Sequence, residues 1–493
     1  MPKLSGTISV TLLLSSAAND QVTDFDVTIQ SLTLTDQAGK TIPVLNASSP
    51  AEFVHLNGNI EPLTTVTIAQ DVYTSATVTL GGAEFVCVSQ DPNGGLLFSH
   101  YSVVNGGPVV NLASPITVTG SSMILSLNLQ VSDSAIFPSC YSEPIFNGYS
   151  MSPTFSLTPL AASPSPTNAG NSRVTGLEAT ITSLGSAGSS LKLTIPAFSF
   201  GTRTLLASAN SATVFHGVSG LSGLTAGMFV NLDGVLQSDG SLLATRIEVE
   251  NPSALNVSTG PLISVDALVP ALMQYGRTQM GPLLTDGVNG QPGQYDESPY
   301  FDFSNTTFQV TGQFNNLQSL PFVASFTASN MVAGQNVDIT SGVLTLGGPT
   351  YTPANTITLI PQTIDGTVEG ISTSGNFTVY TVSLASYDLF PQLAVQPGQT
   401  TLLTNPSEVQ VYVDSNTQKL NTQALADGST LRFYGLVFND NGTLRMDCAQ
   451  VSDGVAFSTQ SNSSGQLAAG HSRIVRQHGA GALPQTTVIT RSK

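Results

Sequence analysis

The sequence predicts an all-β protein: an N-terminal β-sandwich followed by an array of small barrel-like β modules. Three observations carry that expectation. Short runs that alternate apolar and polar residues recur along the chain, punctuated by Gly, Asn, Asp and Pro. β-branched residues are abundant, whereas the strong helix formers Glu, Lys and Arg are scarce, and charged residues make up only 9%. A strand–turn–strand pattern also repeats in the second half, as it does in arrays. At 493 residues the chain exceeds one ordinary core, so several units are expected.

The first unit covers residues 4–158. Ile8, Val10, Leu12 and Leu14 fall on one side of its opening run, with Ser9, Thr11 and Leu13 on the other. Residues 25–29, 64–68, 75–80, 116–118 and 124–131 alternate in the same way. Turn signals such as Asn19-Asp20, Gly81-Gly82 and Asn105-Gly106-Gly107-Pro108 separate them. Strands so closely spaced, with no helical period between them, imply a sandwich or barrel.

Residues 159–172 (PLAASPSPTNAGNS) form a Pro/Ser linker that cannot bury a core. Three β modules follow, at 173–252, 253–362 and 363–456. Segments 229–249 (FVNLDGVLQSDGSLLATRIEV) and 431–451 (LRFYGLVFNDNGTLRMDCAQV) correspond. Each is a strand carrying a glycine (Gly234, Gly435), a tight turn through Gly240 or Gly442, and a return strand. Asp-Gly and Asn-Gly supply the positive φ such turns need. The middle module is a divergent copy, with 332–338 approaching its hairpin and 356–361 closing it. Residues 457–493 read as a disordered tail whose basic residues are Arg473, Arg476, Arg491 and Lys493.

Two resemblances rest on these residues. GTISVTL at 6–12, DFDVTI at 24–29, DVY at 71–73 and SMILSLNLQVSDS at 122–134 resemble the bacterial exported domain of unknown function 4382. Asp71 stands where that family usually has a glycine. The modules are similar to domain of unknown function 5666, a small barrel-like β module, most clearly over 227–249 and then over 428–451. The tandem arrangement is similar to bacterial exported proteins and lipoproteins. The resemblance implies an extracellular or cell-envelope location, with an export leader expected upstream. Neither family has an established activity to carry over.

Charge narrows the partners. Fourteen Lys and Arg against 31 Asp and Glu leave a net charge of −17, so no basic footprint for nucleic acid is expected. No apolar run reaches the roughly 20 residues of a membrane-spanning helix, and none is expected. Of the three cysteines, Cys87 and Cys140 share the first unit. In an oxidising compartment they can form a disulfide worth roughly 4 kcal/mol; otherwise they stay buried thiols.

Chemistry-bearing patterns are sparse. His216-Gly217-Val218-Ser219-Gly220 lacks the second glycine of a nucleophile elbow and any strand–helix context. His55, His100 and His216 are dispersed, in no metal-ligand spacing. The acidic, Gly-rich stretch 285–303 offers Asp286, Asn289, Asp296, Glu297 and Asp302 as oxygen ligands for Ca²⁺, or is a solvated loop. The same two readings apply to Asp20, Asp24 and Asp26. Tyr295, Tyr300, Phe301 and Phe303 beside those acids suit either a glycan-contacting patch or ordinary strand packing. No cofactor besides calcium is suggested, since no phosphate loop is present.

The functional expectation is therefore an exported or cell-surface, non-catalytic structural protein that self-associates through sheet edges. The alternative is an array of binding modules for glycan, envelope polymer or a protein partner.

Overall fold

The computed structural model of the chain describes residues 4–17, 22–54, 56, 59–90, 96–102, 109–112, 114–130, 153–160, 173–185, 189–197, 201–251, 256–266, 271–274, 278–279, 300–314, 317–342, 352–384, 390–391, 403–420 and 425–453. They are nearly all β, as the alternating sequence predicts.

The N-terminal strands are β1 (Thr7–Ala17), β2 (Val22–Asp36), β3 (Thr41–Leu45), β4 (Ser49–Glu52), β5 (Glu61–Ala69), β6 (Asp71–Gln90), β7 (Leu96–Ser102), β8 (Val109–Asn111), β9 (Ile116–Val118), β10 (Ser122–Gln130) and β11 (Thr154–Leu160). They form two sheets, one ordered β5-β1-β10-β11-β8 and one ordered β3-β2-β6-β7, with β4 on β2 and β9 on β6. Ile8, Val10, Leu12 and Leu14 of β1 enter one core with Phe25, Val27 and Ile29 of β2, which makes the unit a sandwich. Leu13, which breaks the alternation of β1, points to the other face. There it packs with Ile124 against Leu236 of the next unit.

The next strands are β12 (Arg173–Leu184), β13 (Ser190–Ala197), β14 (Gly201–Ser208), β15 (Val214–His216), β16 (Phe229–Leu236) and β17 (Leu242–Asn251). β12, β13, β14, β17 and β16 pair in a closed ring, with β14 and β17 parallel and β15 added in parallel on β17. This is a five-stranded Greek-key barrel of the OB type in its connectivity.

The same path recurs twice. In the second barrel β18 (Asn256–Asp266), β19 (Ala271–Gln274), β21 (Tyr300–Asp302), β24 (Thr352–Leu359) and β23 (Asn336–Ser341) close the ring. Here β22 (Thr307–Val310) is the added parallel strand, and β20 (Thr278–Gln279) pairs with β18. In the third, β25 (Gln362–Ser374), β26 (Phe377–Leu384), β27 (Glu408–Val413), β30 (Thr443–Asp453) and β29 (Thr430–Asp440) close it. There β28 (Gln418–Leu420) is added in parallel on β30.

Local detail repeats with the topology. The N–H groups of Gly227, Gly334 and Gly428, all at positive φ, donate to the carbonyls of Ile181, Leu262 and Val368. The N–H groups of those three residues donate back to Met228, Gln335 and Ser429. Each first strand bulges just past that bracket, after Ile181, Leu262 or Val368. Each fourth strand shifts register at Gly234, Ser341 or Gly435. At Gly435 a Cβ would collide with the Asp447 carbonyl, and at Gly234 it would come within 2.7 Å of the Leu243 carbonyl. The closing turn of the third barrel puts Asn441 at φ 52° and Gly442 at φ 92°, the paired positive angles of a type I′ hairpin. The middle module, divergent in sequence, thus follows the strand path of its neighbours.

Candidate functional site

Most sequence-predicted site residues lie outside the described residues: Asp286, Asn289, Asp296, Glu297, Cys140, Asp20, Tyr295 and His55. Asp302 ends β21, where its carboxylate accepts the Ser304 N–H at 2.9 Å, a local turn cap. Phe301 is fully buried in the core and Phe303 packs edge-on against Phe308, so these two aromatics serve packing. Cys87 sits in β6 opposite Val22 and Ser99, and its pairing with Cys140 is outside the described residues. Cys448 is a free thiol in the third barrel core, its pKa raised by burial and by Asp447. Among the described residues no three His, Cys, Asp or Glu side chains group to hold a metal.

What the fold brings together instead is a buried polar junction between units. On the outward face of β16 and β17, Arg246 donates from Nε to Asp233, from Nη1 to Glu248 and from Nη2 to Asn231, each at 2.7 Å. Glu248 also accepts the Thr311 hydroxyl and the Gly312 N–H, both at 2.9 Å, from the second barrel. Asp233 accepts the Gly176 N–H at 2.9 Å. The Tyr434 hydroxyl of the third barrel presses on Gly176, where a Cβ would stand 2.9 Å away. Burial, then the nearby Asp233 charge, raises the Tyr434 pKa. From the sandwich, Asn59 Nδ2 donates to the Thr175 carbonyl at 2.5 Å. Arg203 of the first barrel pairs with Glu61 of the sandwich, both buried. Arg432 of the third pairs with Asp365 at 2.9 Å and reaches the Ser16 carbonyl at 3.4 Å. All four units meet through these groups.

The second site is the outward face of the third barrel. Phe377 and Val379 of β26, Tyr412 of β27, and Leu436 and Phe438 of β29 face outward into a cluster shared with the second barrel. Segment 317–335, the connection that precedes β23, lies over them. Its Phe322 ring stands 4.8 Å from Tyr412 and 5.9 Å from Phe438. The Arg445 guanidinium lies over both Phe322 and Tyr412, at 5.5 and 5.9 Å, and pairs with Asp440 at 3.0 Å. Beside it, Asp447 is a half-buried carboxyl whose pKa is pushed up to about 7 by burial and by the neighbouring Asp414.

Sequence reasoning passed over these residues, although part of the junction was within reach. Strand alternation puts Glu248 on the same face as Arg246, but counting outward from the Gly240 turn reaches Thr245 opposite Asp233, and only the register shift at Gly234 brings Arg246 there. That Thr311, Gly312 and Tyr434 complete the junction carries no local signal.

A profile for the domain of unknown function DUF5666 matches residues 178–248, within the first barrel. No curated protein matches the chain. No solved structure matches it either.

Proposed function

We propose that this chain is an exported or cell-surface, non-catalytic structural protein whose β units are locked into one scaffold that self-associates. The observation that carries the reading is the junction. The charged groups Arg203, Arg246 and Arg432 are used as fasteners between or beside units, with their charges paired internally. We further take residues 253–362 and 363–456 to be additional copies of the DUF5666 module, supported by the repeated pairing, bulges and glycine brackets. The sandwich is taken as the exported domain of unknown function 4382 on its sequence motifs. Among the described residues no helix is long and apolar enough to cross a membrane.

Sedimentation over a range of concentrations, with negative-stain images of the same samples, tests the scaffold reading. Fibres or defined oligomers that grow with concentration are expected. A monomer at every concentration removes self-assembly as the role.

A second reading, a binding array for glycan or envelope polymer, is favoured by one observation. The aromatic and arginine side chains of the third barrel lie on strands 2 and 3 and beside the 1–2 and 4–5 turns, where OB-type barrels bind oligomers. Retention of the chain on polysaccharides or cell-envelope fractions tests it.

A further inference from the structure

We propose that Asn441-Gly442, the tip of the β29–β30 hairpin, is a succinimide-forming modification site that the Asn439 side chain holds in check.

The chemistry starts from the sequence. In an Asn-Gly pair the glycine backbone nitrogen attacks the Asn side-chain carbonyl carbon, and a C–N bond forms. The amide NH₂ and the proton lost from that nitrogen leave together as ammonia. Water then opens the five-membered ring at either carbonyl. The product is Asp, or an isoaspartyl residue with one extra carbon in the backbone. Glycine favours the attack because no Cβ crowds the approach. Such pairs begin at Asn57, Asn93, Asn105, Asn147, Asn289 and Asn441, and only the last lies within the described residues.

The structure exposes the target and ties down the nucleophile. Asn441 is exposed, so water and base reach its side chain. The Gly442 N–H, by contrast, donates to Asn439 Oδ1 at 2.7 Å in a buried bond. Asn439 itself is buried near the end of β29. On its other side the Gly442 carbonyl accepts the Thr404 N–H at 2.8 Å and the Thr404 hydroxyl at 2.9 Å. The leaving group is held as well, since Asn441 Nδ2 donates to Asp440 Oδ1 at 3.1 Å. For the Gly442 nitrogen to attack, its bond to Asn439 has to break first, which leaves a buried polar group without a partner.

The corresponding tip of the first barrel meets the same liability by another route. Asp239-Gly240 closes the same ring with loss of water, and does so from the protonated acid, because a carboxylate oxygen is a poor leaving group. There the Gly240 N–H donates to the Gln237 carbonyl at 3.0 Å. Asp239 Oδ1 accepts the Ser241 hydroxyl at 2.7 Å and the Ser241 N–H at 2.9 Å. The hydroxyl first, then the N–H, hold the Asp239 carboxyl below its ordinary pKa and so ionised. Both tips thus engage the glycine nitrogen, through a backbone carbonyl in one and through Asn439 in the other.

The test incubates the unaltered full-length chain and a synthetic peptide of residues 433–445 side by side at pH 8. Arg432 and Arg445 make the same segment a tryptic peptide, so mass spectrometry reads the one-unit mass gain and the isoaspartyl form at Asn441 in both. The folded chain should react about tenfold more slowly than the peptide, or slower still, because the bond to Asn439 must open first. Asn439→Ala should restore most of the peptide rate, whereas Asn439→Asp, which keeps an acceptor oxygen, should stay slow. A folded chain that reacts at the peptide rate overturns the proposal, and so does a folded Asn439→Ala chain as slow as its parent. If Asn439→Ala does not fold, amide hydrogen exchange at Gly442 in the unaltered chain decides: a protected amide supports the held nucleophile, and exchange at the peptide rate overturns it.

Discussion

The first and third barrels follow one strand path yet treat their outward faces in opposite ways. Asn231 and Asp233 of the first stand where Arg432 and Tyr434 stand in the third, counted from the Gly227 and Gly428 brackets. Their neighbours in the first strand are Glu178 and Asp365. In the first barrel the face of β16 and β17 is ionic and buried, while Leu206 on β14 is 61% exposed. In the third, the face of β26, β27 and β29 is aromatic and covered, and Leu436 and Phe438 are fully buried. Interior residues set the barrel; outward residues choose the neighbour, through charge in one case and ring stacking in the other.

Substitutions can break or sharpen this contrast, and the largest effect is expected at Arg246. Arg246→Met would leave Asp233 and Glu248 as buried charges without their counter-ion. Removing one partner of such a pair costs about 3–5 kcal/mol. Thermal unfolding of the full chain should show a large drop in midpoint; an unchanged midpoint would mean the junction holds without its ions.

Next comes Leu436→Ala. Although it points out of its own barrel, Leu436 has no exposed surface. It should therefore cost about 2–5 kcal/mol, like an interior leucine. Denaturant titration checks this, and a cost below about 1 kcal/mol would show the covered face to be loosely packed.

Asp447 gives a smaller and pH-dependent effect. Its folded pKa is raised from 3.8 to about 7. The folded state therefore favours the protonated acid, and stability falls as pH rises from about 4 to about 7. Asp447→Asn removes the burden of the buried charge. At pH 8 it should stabilise the chain by about 1–3 kcal/mol, discounted because part of the carboxyl touches solvent. Below pH 4 the variant and the parent should coincide. Unfolding midpoints at the two pH values decide the matter, and equal shifts at both would exclude titration as the cause.

The smallest effect is expected at Leu206→Ala, within about 0.5 kcal/mol, since the side chain leaves water little changed. A large loss there would mean that a partner or second copy covers the open face of the first barrel, which concentration-dependent unfolding would reveal.

Much of the fold was legible in the chain. Alternation at Ile8, Val10, Leu12 and Leu14 located β1 and its core side. The glycines at 234, 240, 435 and 442 located both hairpins, because a bulge pressed against a carbonyl and a turn at positive φ each exclude a Cβ. The divergent middle module was harder, since Ser341 takes the place of the bulge glycine and the turn signal is different. Among the site residues expected from sequence, Asp302 proves to cap a turn, Cys87 sits in β6, and Cys140 lies outside the described residues.

By itself, then, the sequence determined an all-β chain with a sandwich and small barrels, where the barrels turn, and which residues face inward. Those properties follow from period-two burial and local backbone sterics, which act between near neighbours. Only the tertiary structure decided that Arg246, Tyr434, Arg445 and Asp447 matter. Each points outward from its own barrel, and the environment of an outward side chain is set by whichever unit lies opposite. The Arg246 charge is paired by its own strands, and its partner Glu248 also accepts the Gly312 N–H from a different barrel. Asp447 titrates high because its barrel face is covered.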